Sequence, residues 1–251
     1  MYGRFRVGVV YPAYNAVRTL EEVVSSIPEN LVDAQLLVDD ASQDGTVALA
    51  AQLGIPMLVH PQNRGYGANQ KTCYAAILDL KPTVDIIVML HPDAQYPAYL
   101  LPALIAPIAD GTCDLTLGSR FADLDPRHGG MPTYKYYANR LLTLGQNAVL
   151  RTQLTEFHTG YRVFSRHVLE SLPLHRNSND FKFDVEVLTQ CVDRGYRIGE
   201  VASPARYFRG ASSVGPWASI KYGLGVVETT AAYWAHRRGI RCDDRFGGCS
   251  N

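Results

Sequence analysis

The sequence predicts a single α/β domain, with a mostly parallel, doubly wound central sheet flanked by helices. Three observations predict it. Short apolar runs alternate with segments of helical spacing through the first half of the chain. The most apolar run, Asp85-Ile-Ile-Val-Met-Leu90, lies between Pro82 and Pro92 and suits a strand covered on both faces. The residues that close the runs are Tyr11-Pro12, Asp39-Asp40, His91-Pro92-Asp93 and Gly118-Ser119-Arg120. Such sheets gather ligand-binding groups at these strand ends.

Each element has its own signal. Val7 to Tyr11 reads as the first strand, stopped by Pro12. Thr19 to Ile27 carries Leu20, Val23, Val24 and Ile27 at helical spacing, and Pro28 ends it. Gln35 to Val38 is a second strand running into Asp39-Asp40. Asp44-Gly45-Thr46 leads a helix through Ala48, Leu49 and Leu53, stopped by Gly54 and Pro56. Met57 to Val59 is a third strand, and Gly65-Tyr66-Gly67 opens a helix over 68–80. Strands over 85–90 and 115–118 follow. The second half is less regular: helices over 135–150 and 183–194, strands over 161–164 and 196–201. No repeat or linker appears, so one domain over 1–239 with a flexible tail over 240–251 is expected. Residues 123–133, rich in Gly, Pro, Asp and Arg, read as a mobile loop.

Bulk composition narrows the function. The 251 residues are 47% hydrophobic, enough for a real core. Lys and Arg number 24, as do Asp and Glu, so formal net charge is zero and nothing argues for a nucleic-acid partner. Five scattered cysteines without a CxxC pair argue against a zinc site or disulfide framework, and for reduced thiols in a cytoplasmic enzyme. No signal-peptide core and no apolar run of about 18 residues is seen.

Five clusters could carry chemistry. Val38-Asp39-Asp40-Ala41-Ser42-Gln43-Asp44-Gly45-Thr46 offers acids to a base or ribose, or is turn and cap chemistry alone. In His91-Pro92-Asp93-Ala94-Gln95-Tyr96-Pro97, Asp93 is placed to hold a hard cation such as Mg2+ or Mn2+ against a diphosphate. His91 is a second ligand or phosphate donor, or a strand-end histidine without a task. Asn63-Arg64-Gly65-Tyr66-Gly67, followed closely by Lys71, is either an anion-binding helix start or a pair of packing glycines. Glu156-Phe157-His158-Thr159-Gly160-Tyr161-Arg162 holds an acid that could serve as base, or a loop salt bridge. Arg206 and Arg209, then Ser212-Ser213, could close over a diphosphate or form a solvated loop.

Taken in order and spacing over about Val7 to Lys221, these motifs resemble the family 2 inverting glycosyltransferases of the GT-A (Rossmann-like) fold, most of all the polyprenyl-phosphate glycosyltransferases. Pro12-Ala13-Tyr14-Asn15 matches PxYNE, with Ala16 in place of Glu, and Asp39 to Thr46 matches DDxSxDGT. His91-Pro92-Asp93 stands where the family has DxD, so His91 replaces the first acid. Gly118-Ser119-Arg120 matches GSR. Glu156 to Arg162 matches DxxSGFR, with Glu156 replacing the catalytic Asp.

The resemblance implies a nucleotide-sugar half over 1–120 and an acceptor half over 121–239. It implies donor contacts from Pro12, Tyr14, Asn15, Asp39, Asp40, Asn63, Gly65, Lys71, His91, Asp93, Arg120 and Arg206. It implies a metal on Asp93 and His91, Glu156 or Asp184 as base, and acceptor contacts from Gln95, His158, Thr159 and Arg162. The donor is then a UDP- or GDP-sugar, and the acceptor a lipid phosphate or soluble glycoside. A nucleotidyltransferase, or a non-catalytic or hydrolytic sugar-nucleotide-binding protein, is the alternative. A nucleotidyltransferase usually carries a Gly-rich basic loop after its first strand, and Tyr11 to Asn15 lacks it.

Trp217, Ile220, Leu224, Val227, Ala231 and Trp234 share one helix face near Arg237, Arg238 and Arg241. Pattern alone favours core or homodimer packing for this face over peripheral contact with a membrane.

Overall fold

The computed structural model describes residues 2–123, 125–204, 206–207 and 216–248, with only the backbone for 216–218. Seven strands form one sheet: β1 (Val7–Ala13), β2 (Ala34–Asp39), β3 (Met57–Val59), β4 (Ile86–Met89), β5 (Leu115–Ser119), β6 (Arg162–Ser165) and β7 (Ile198–Ala202). Their spatial order is β3-β2-β1-β4-β6-β5-β7. All neighbours run parallel except β6, which is antiparallel to both β4 and β5.

Helices α1 (Leu20–Ser25), α2 (Thr46–Gln52) and α3 (Tyr66–Asp79) connect β1 to β4. Beyond β4 come α4 (Leu101–Ala109), α5 (Thr133–Leu150), α6 (Arg166–Ser171), α7 (Phe183–Asp193) and α8 (Pro216–Arg237).

Alternation within strands sorts the core onto two faces. Val7, Val9, Tyr11, Ile86 and Val88 pack on one side with α1 and α4. Val10, Ile87 and Met89 pack on the other with α3 and α7. Both faces are therefore dry, as continuous apolar strands require.

The order reverses beside β1. β2 lies on one side of β1 and β4 on the other, with Val10 opposite Met89 and Ala13 opposite Asp39. Chain connections depart in opposite directions there, leaving a crevice at the carboxyl ends of these strands.

The structure corrects several expectations. α4 and α6 were not anticipated. The loop expected to be mobile is held by Met131, which is buried, and by the bond from Tyr207 N–H to Gly129 O (2.9 Å). Within 240–248, Phe246 is buried against Tyr233 and His236, and Arg245 pairs with Glu186. Cys73, Cys113 and Cys191 are free thiols, with Cys73 and Cys191 buried.

The α8 stripe is not core. Ile220, Leu224, Val227 and Trp234 are exposed, while Val226, Thr229, Thr230 and Tyr233 are buried. The helix packs on α5 and α7 by that second face. α5 adds exposed Tyr134, Tyr137, Leu141 and Leu144. The Trp217 side chain lies outside the described residues.

Candidate active site

A cavity of about 1400 Å³ opens over the crevice between β1 and β4. The loops after β1, β2 and β4 that border it each carry a residue in the left-handed region: Asn15 (φ 53°), Ala41 (φ 61°) and Ala94 (φ 55°). Such conformations are costly for alanine and mark loops held by their surroundings.

The loops after β1 and β2 are stitched together. Asn15 N–H donates to Ser42 Oγ (2.8 Å) and Asn15 Oδ1 accepts from Gln43 N–H (2.9 Å). Asp39 is fully buried and accepts from both the N–H (2.8 Å) and hydroxyl (2.5 Å) of Ser42. Asp44 accepts from Thr46 N–H (2.9 Å) in the turn that leads into α2. Much of this acidic motif is therefore scaffold, and Asp39 does not line the cavity. Asp40 does, but its oxygens already accept from His60 Nδ1 (2.7 Å), Arg64 N–H (2.9 Å) and Gly65 N–H (2.9 Å). It fixes the loop before α3.

The two glycines of that loop serve close packing. A Cβ on Gly65 would meet Asn179 O at 2.6 Å, and one on Gly67 would meet Ser178 O at 2.4 Å. The helix-start N–H groups of Gly67 and Ala68 point at Asn179 O (2.8 and 3.4 Å), not at open space. Lys71 reaches away to Asn177 O (2.8 Å) and is not in the cavity wall. Pro12, Tyr14, Asn15, Asn63 and Gly65 are.

At the end of β4, His91 stacks on Tyr66 with 5.4 Å between ring centroids. Tyr66 donates its hydroxyl proton to Asp184 Oδ2 (2.7 Å), so its oxygen accepts from His91 Nε2–H (3.1 Å). The lone pair of His91 is thereby left on Nδ1. Asp93 accepts from Gln95 N–H (3.1 Å). Burial raises the Asp93 carboxyl above its usual range, and nearby His91 opposes that. The Asp93 carboxylate is the kind of oxygen ligand that Mg2+ or Mn2+ takes. Among the described residues no group of three or more His, Cys, Asp or Glu could hold an ion alone. The residues therefore fit an ion that arrives with most of its ligands on a diphosphate and water.

The acceptor half divides sharply. Glu156 is fully buried and accepts from Arg120 Nε (2.9 Å), Arg120 Nη2, Arg120 N–H (2.9 Å) and Asn139 Nδ2 (2.8 Å). Burial pushes its carboxyl up, but Arg120 outweighs this and holds it below the usual carboxylate range. Glu156 is not in the cavity wall, whereas Arg120, Asp184, Gln95 and His158 are. Asp184 accepts from Gln70 Nε2 (2.9 Å) as well as Tyr66.

Arg162 is buried and donates to three backbone carbonyls: Thr159 (2.9 Å), Asp184 (2.6 Å) and Phe157 (3.2 Å). Thr159 Oγ1 donates to Gly118 O (2.7 Å). Both hold the site rather than line it. Arg206 is exposed, pairs with Glu22 (3.2 Å) and is not in the wall. Arg209, Ser212 and Ser213 lie outside the described residues.

Sequence reasoning missed Tyr66, Asn139, Tyr207 and Tyr222. Tyr66 sits inside a motif that was noticed for its glycines. Tyr207 and Tyr222 have no periodic signal, because each reaches the site from a distant element.

A sheet of this order, reversing beside β1 with acidic residues at the strand ends, is that of the GT-A fold. The glycosyl transferase family 2 profile matches residues 8–172, and the chain belongs to that family. It is 27% identical over 202 residues to glycosyltransferase AglJ of Haloferax volcanii, covering 80% of this chain and 63% of that protein. It is 28% identical over 208 residues to polyprenol monophosphomannose synthase of Mycolicibacterium smegmatis, covering 78% and 76%. Its fold is similar to glucosyl-3-phosphoglycerate synthase of Mycobacterium tuberculosis solved with UDP, with TM-score 0.72, 22% identity and 96% and 83% coverage. That enzyme is also solved with Mn2+, UDP and phosphoglyceric acid. The chain thus spans under two thirds of the first of these relatives.

Proposed function

We propose that this glycosyltransferase moves a sugar, with inversion, from a UDP- or GDP-sugar to the phosphate of a polyprenyl phosphate at a membrane surface. One observation carries the reading. The cavity that begins at Asn15, Asp40 and Asp93 continues past Arg120 and His158 to Leu141, Ile220, Leu224 and Val227. It is polar at one end and apolar at the other, and the apolar end opens on exposed flanks of α5 and α8. An amphiphilic acceptor has that shape, and an apolar stripe beside Lys221, Arg237 and Arg238 suits an anionic lipid surface. The relative named for a polyprenol product supports the same class. The expected location is cytoplasmic and peripheral to the membrane.

In this reading Tyr14, Asn15 and the Asp40-held loop receive the nucleoside. Asp93 and His91 would hold a divalent metal ion, which would supply positive charge to offset that of a diphosphate. An acceptor phosphate oxygen attacks the anomeric carbon in line. The bond from that carbon to the diphosphate oxygen breaks, and the nucleoside diphosphate leaves with the electron pair. A phosphate monoester is already an anion at neutral pH, so the step needs no base. Glu156, locked to Arg120, is not available as one. Asp184 is the carboxylate that a hydroxyl acceptor would use instead.

The test pairs UDP-glucose, UDP-N-acetylglucosamine or GDP-mannose with Mn2+ and citronellyl phosphate, citronellol or 3-phosphoglycerate, with products read by mass spectrometry. Glycosylated citronellyl phosphate is expected. Transfer to 3-phosphoglycerate or citronellol alone would reject the lipid phosphate.

A further inference from the structure

We infer that His158 is a neutral hydrogen-bond donor to the acceptor's anionic group, and that Tyr222 of α8 fixes it in the tautomer that can donate. The inference rests on the phosphate acceptor proposed above. His158 lines the cavity, and its Nδ1 lies 2.8 Å from the Tyr222 hydroxyl. Its Nε2 is shielded from solvent and has no partner among the described residues. A buried polar atom without a partner costs about 1–3 kcal/mol, so one kept at a cavity wall calls for a ligand.

The pairing decides what Nε2 offers. Burial raises the Tyr222 hydroxyl far above its ordinary range, so it keeps its proton. That proton has one acceptor within hydrogen-bond distance among the described residues, His158 Nδ1. A hydroxyl donating to Nδ1 places the imidazole's own proton on Nε2. Burial also pushes His158 down to about 4, so the ring is neutral through the physiological range. It is therefore a donor without being a cation. Arg120 stands beside it, its Nη2 donating to His158 O (3.0 Å) and its Nη1 to Tyr207 OH (2.7 Å). Together they present N–H groups to an oxyanion, and neither can take a proton from a hydroxyl. Tyr222 acts through His158 and is a positioning residue.

The test has a readout besides activity. Long-range 15N–1H spectra of the full-length 15N-labelled protein at pH 7, with His158→Gln assigning the ring, should show pyrrole-type Nε2 and pyridine-type Nδ1. Citronellyl phosphate should shift Nε2–H. The reverse tautomer would overturn the inference. Tyr222→Phe should give tautomer-averaged signals and raise KM for citronellyl phosphate about tenfold, with kcat changed much less. A fall in kcat at unchanged KM would also overturn it. If citronellyl phosphate is neither bound nor glycosylated, the acceptor assignment fails while the tautomer is still read from the spectra.

Discussion

At the residue scale, two carboxylates in one half of the site have opposite surroundings. Glu156 is hydrogen-bonded to an arginine and has no access to the cavity; Asp184 accepts from a tyrosine and an amide, has Arg162 only at 3.9 Å, and faces the cavity. Glu156→Gln removes the charge that balances buried Arg120. Breaking such a pair costs about 3–5 kcal/mol, so a large loss of urea stability is expected. If the variant instead keeps its stability and loses only turnover, Glu156 is a reacting group after all. His158 adds a pH dependence. Its ordinary value near 6.5 falls to about 4 on folding. The groups that act on it are Tyr222, Glu156, Arg120, Arg162 and Asp184. The unfolded chain binds the proton more readily, so this contribution is whole above pH 6.5 and is lost as pH falls towards 4. The loss amounts to about 3 kcal/mol. Urea midpoints at pH 7.5 and 4.5 should show it, with a shallower dependence in His158→Gln. The sequence made Glu156 visible as an acid in a motif, but not its arginine, because Arg120 is 36 positions away and meets it only through the sheet.

At the scale of elements, the central strands were legible because a run buried on both faces needs apolar residues at consecutive positions, whereas the edge strand β3, with Leu58 and Val59 exposed, was legible only from its short apolar run. The direction of β6 was not, since alternation is the same in either sense. α4 was hidden by its composition: Pro102 and Pro107 break the pattern of a helix whose Leu101, Leu104, Ile105 and Ile108 are all buried. The start of α3 was readable as glycines at a helix junction but not as to purpose. A methyl group on Gly67 would press on Ser178 O and on Phe183 Cβ at 2.7 Å. Gly67→Ala should therefore cost about 2 kcal/mol in urea denaturation and weaken UDP binding with it. A neutral effect would mean that the 178–180 segment yields easily. The flanks of α5 and α8 make a separate prediction. Leu141 is 71% and Leu224 68% exposed, so replacing both with Glu should leave the fold and UDP affinity intact. Co-sedimentation with phosphatidylglycerol vesicles should fall at least tenfold. Unchanged sedimentation, with a loss of dimer on gel filtration, would assign this face to a second copy of the chain.

At the scale of the whole molecule, the C-terminal segment and the loop at Ser178 are joined through one buried acid. Glu186 Oε1 accepts from Arg245 Nη1 (2.6 Å) and Ser178 Oγ (2.8 Å), and Oε2 from Ser178 N–H (2.6 Å). Ser178 precedes Asn179, whose carbonyl receives the first amides of α3 beside the cavity. Gly247 N–H and Arg245 O add bonds to Asp193 (2.8 Å) and Gln190 (3.1 Å) of α7. Arg245 thus braces, through Glu186, the 178–179 segment that receives the start of α3 beside the cavity. Nothing in the Gly-rich, charged composition of 240–251 announces this, because the binding groups are a single phenylalanine and a single arginine. Ending the chain at Gly239 removes Phe246, worth about 3–5 kcal/mol when buried, and leaves Glu186 without its counter-charge. For a chain of this size each kcal/mol is about 2–4 °C in Tm, so a fall of at least about 10 °C is expected in a thermal melt. UDP should protect the shortened protein less than it protects the full chain, because the segment that receives the start of α3 has lost its brace. Equal protection in both would show that the donor end is organised by Asp40 and the β1–β2 stitching alone.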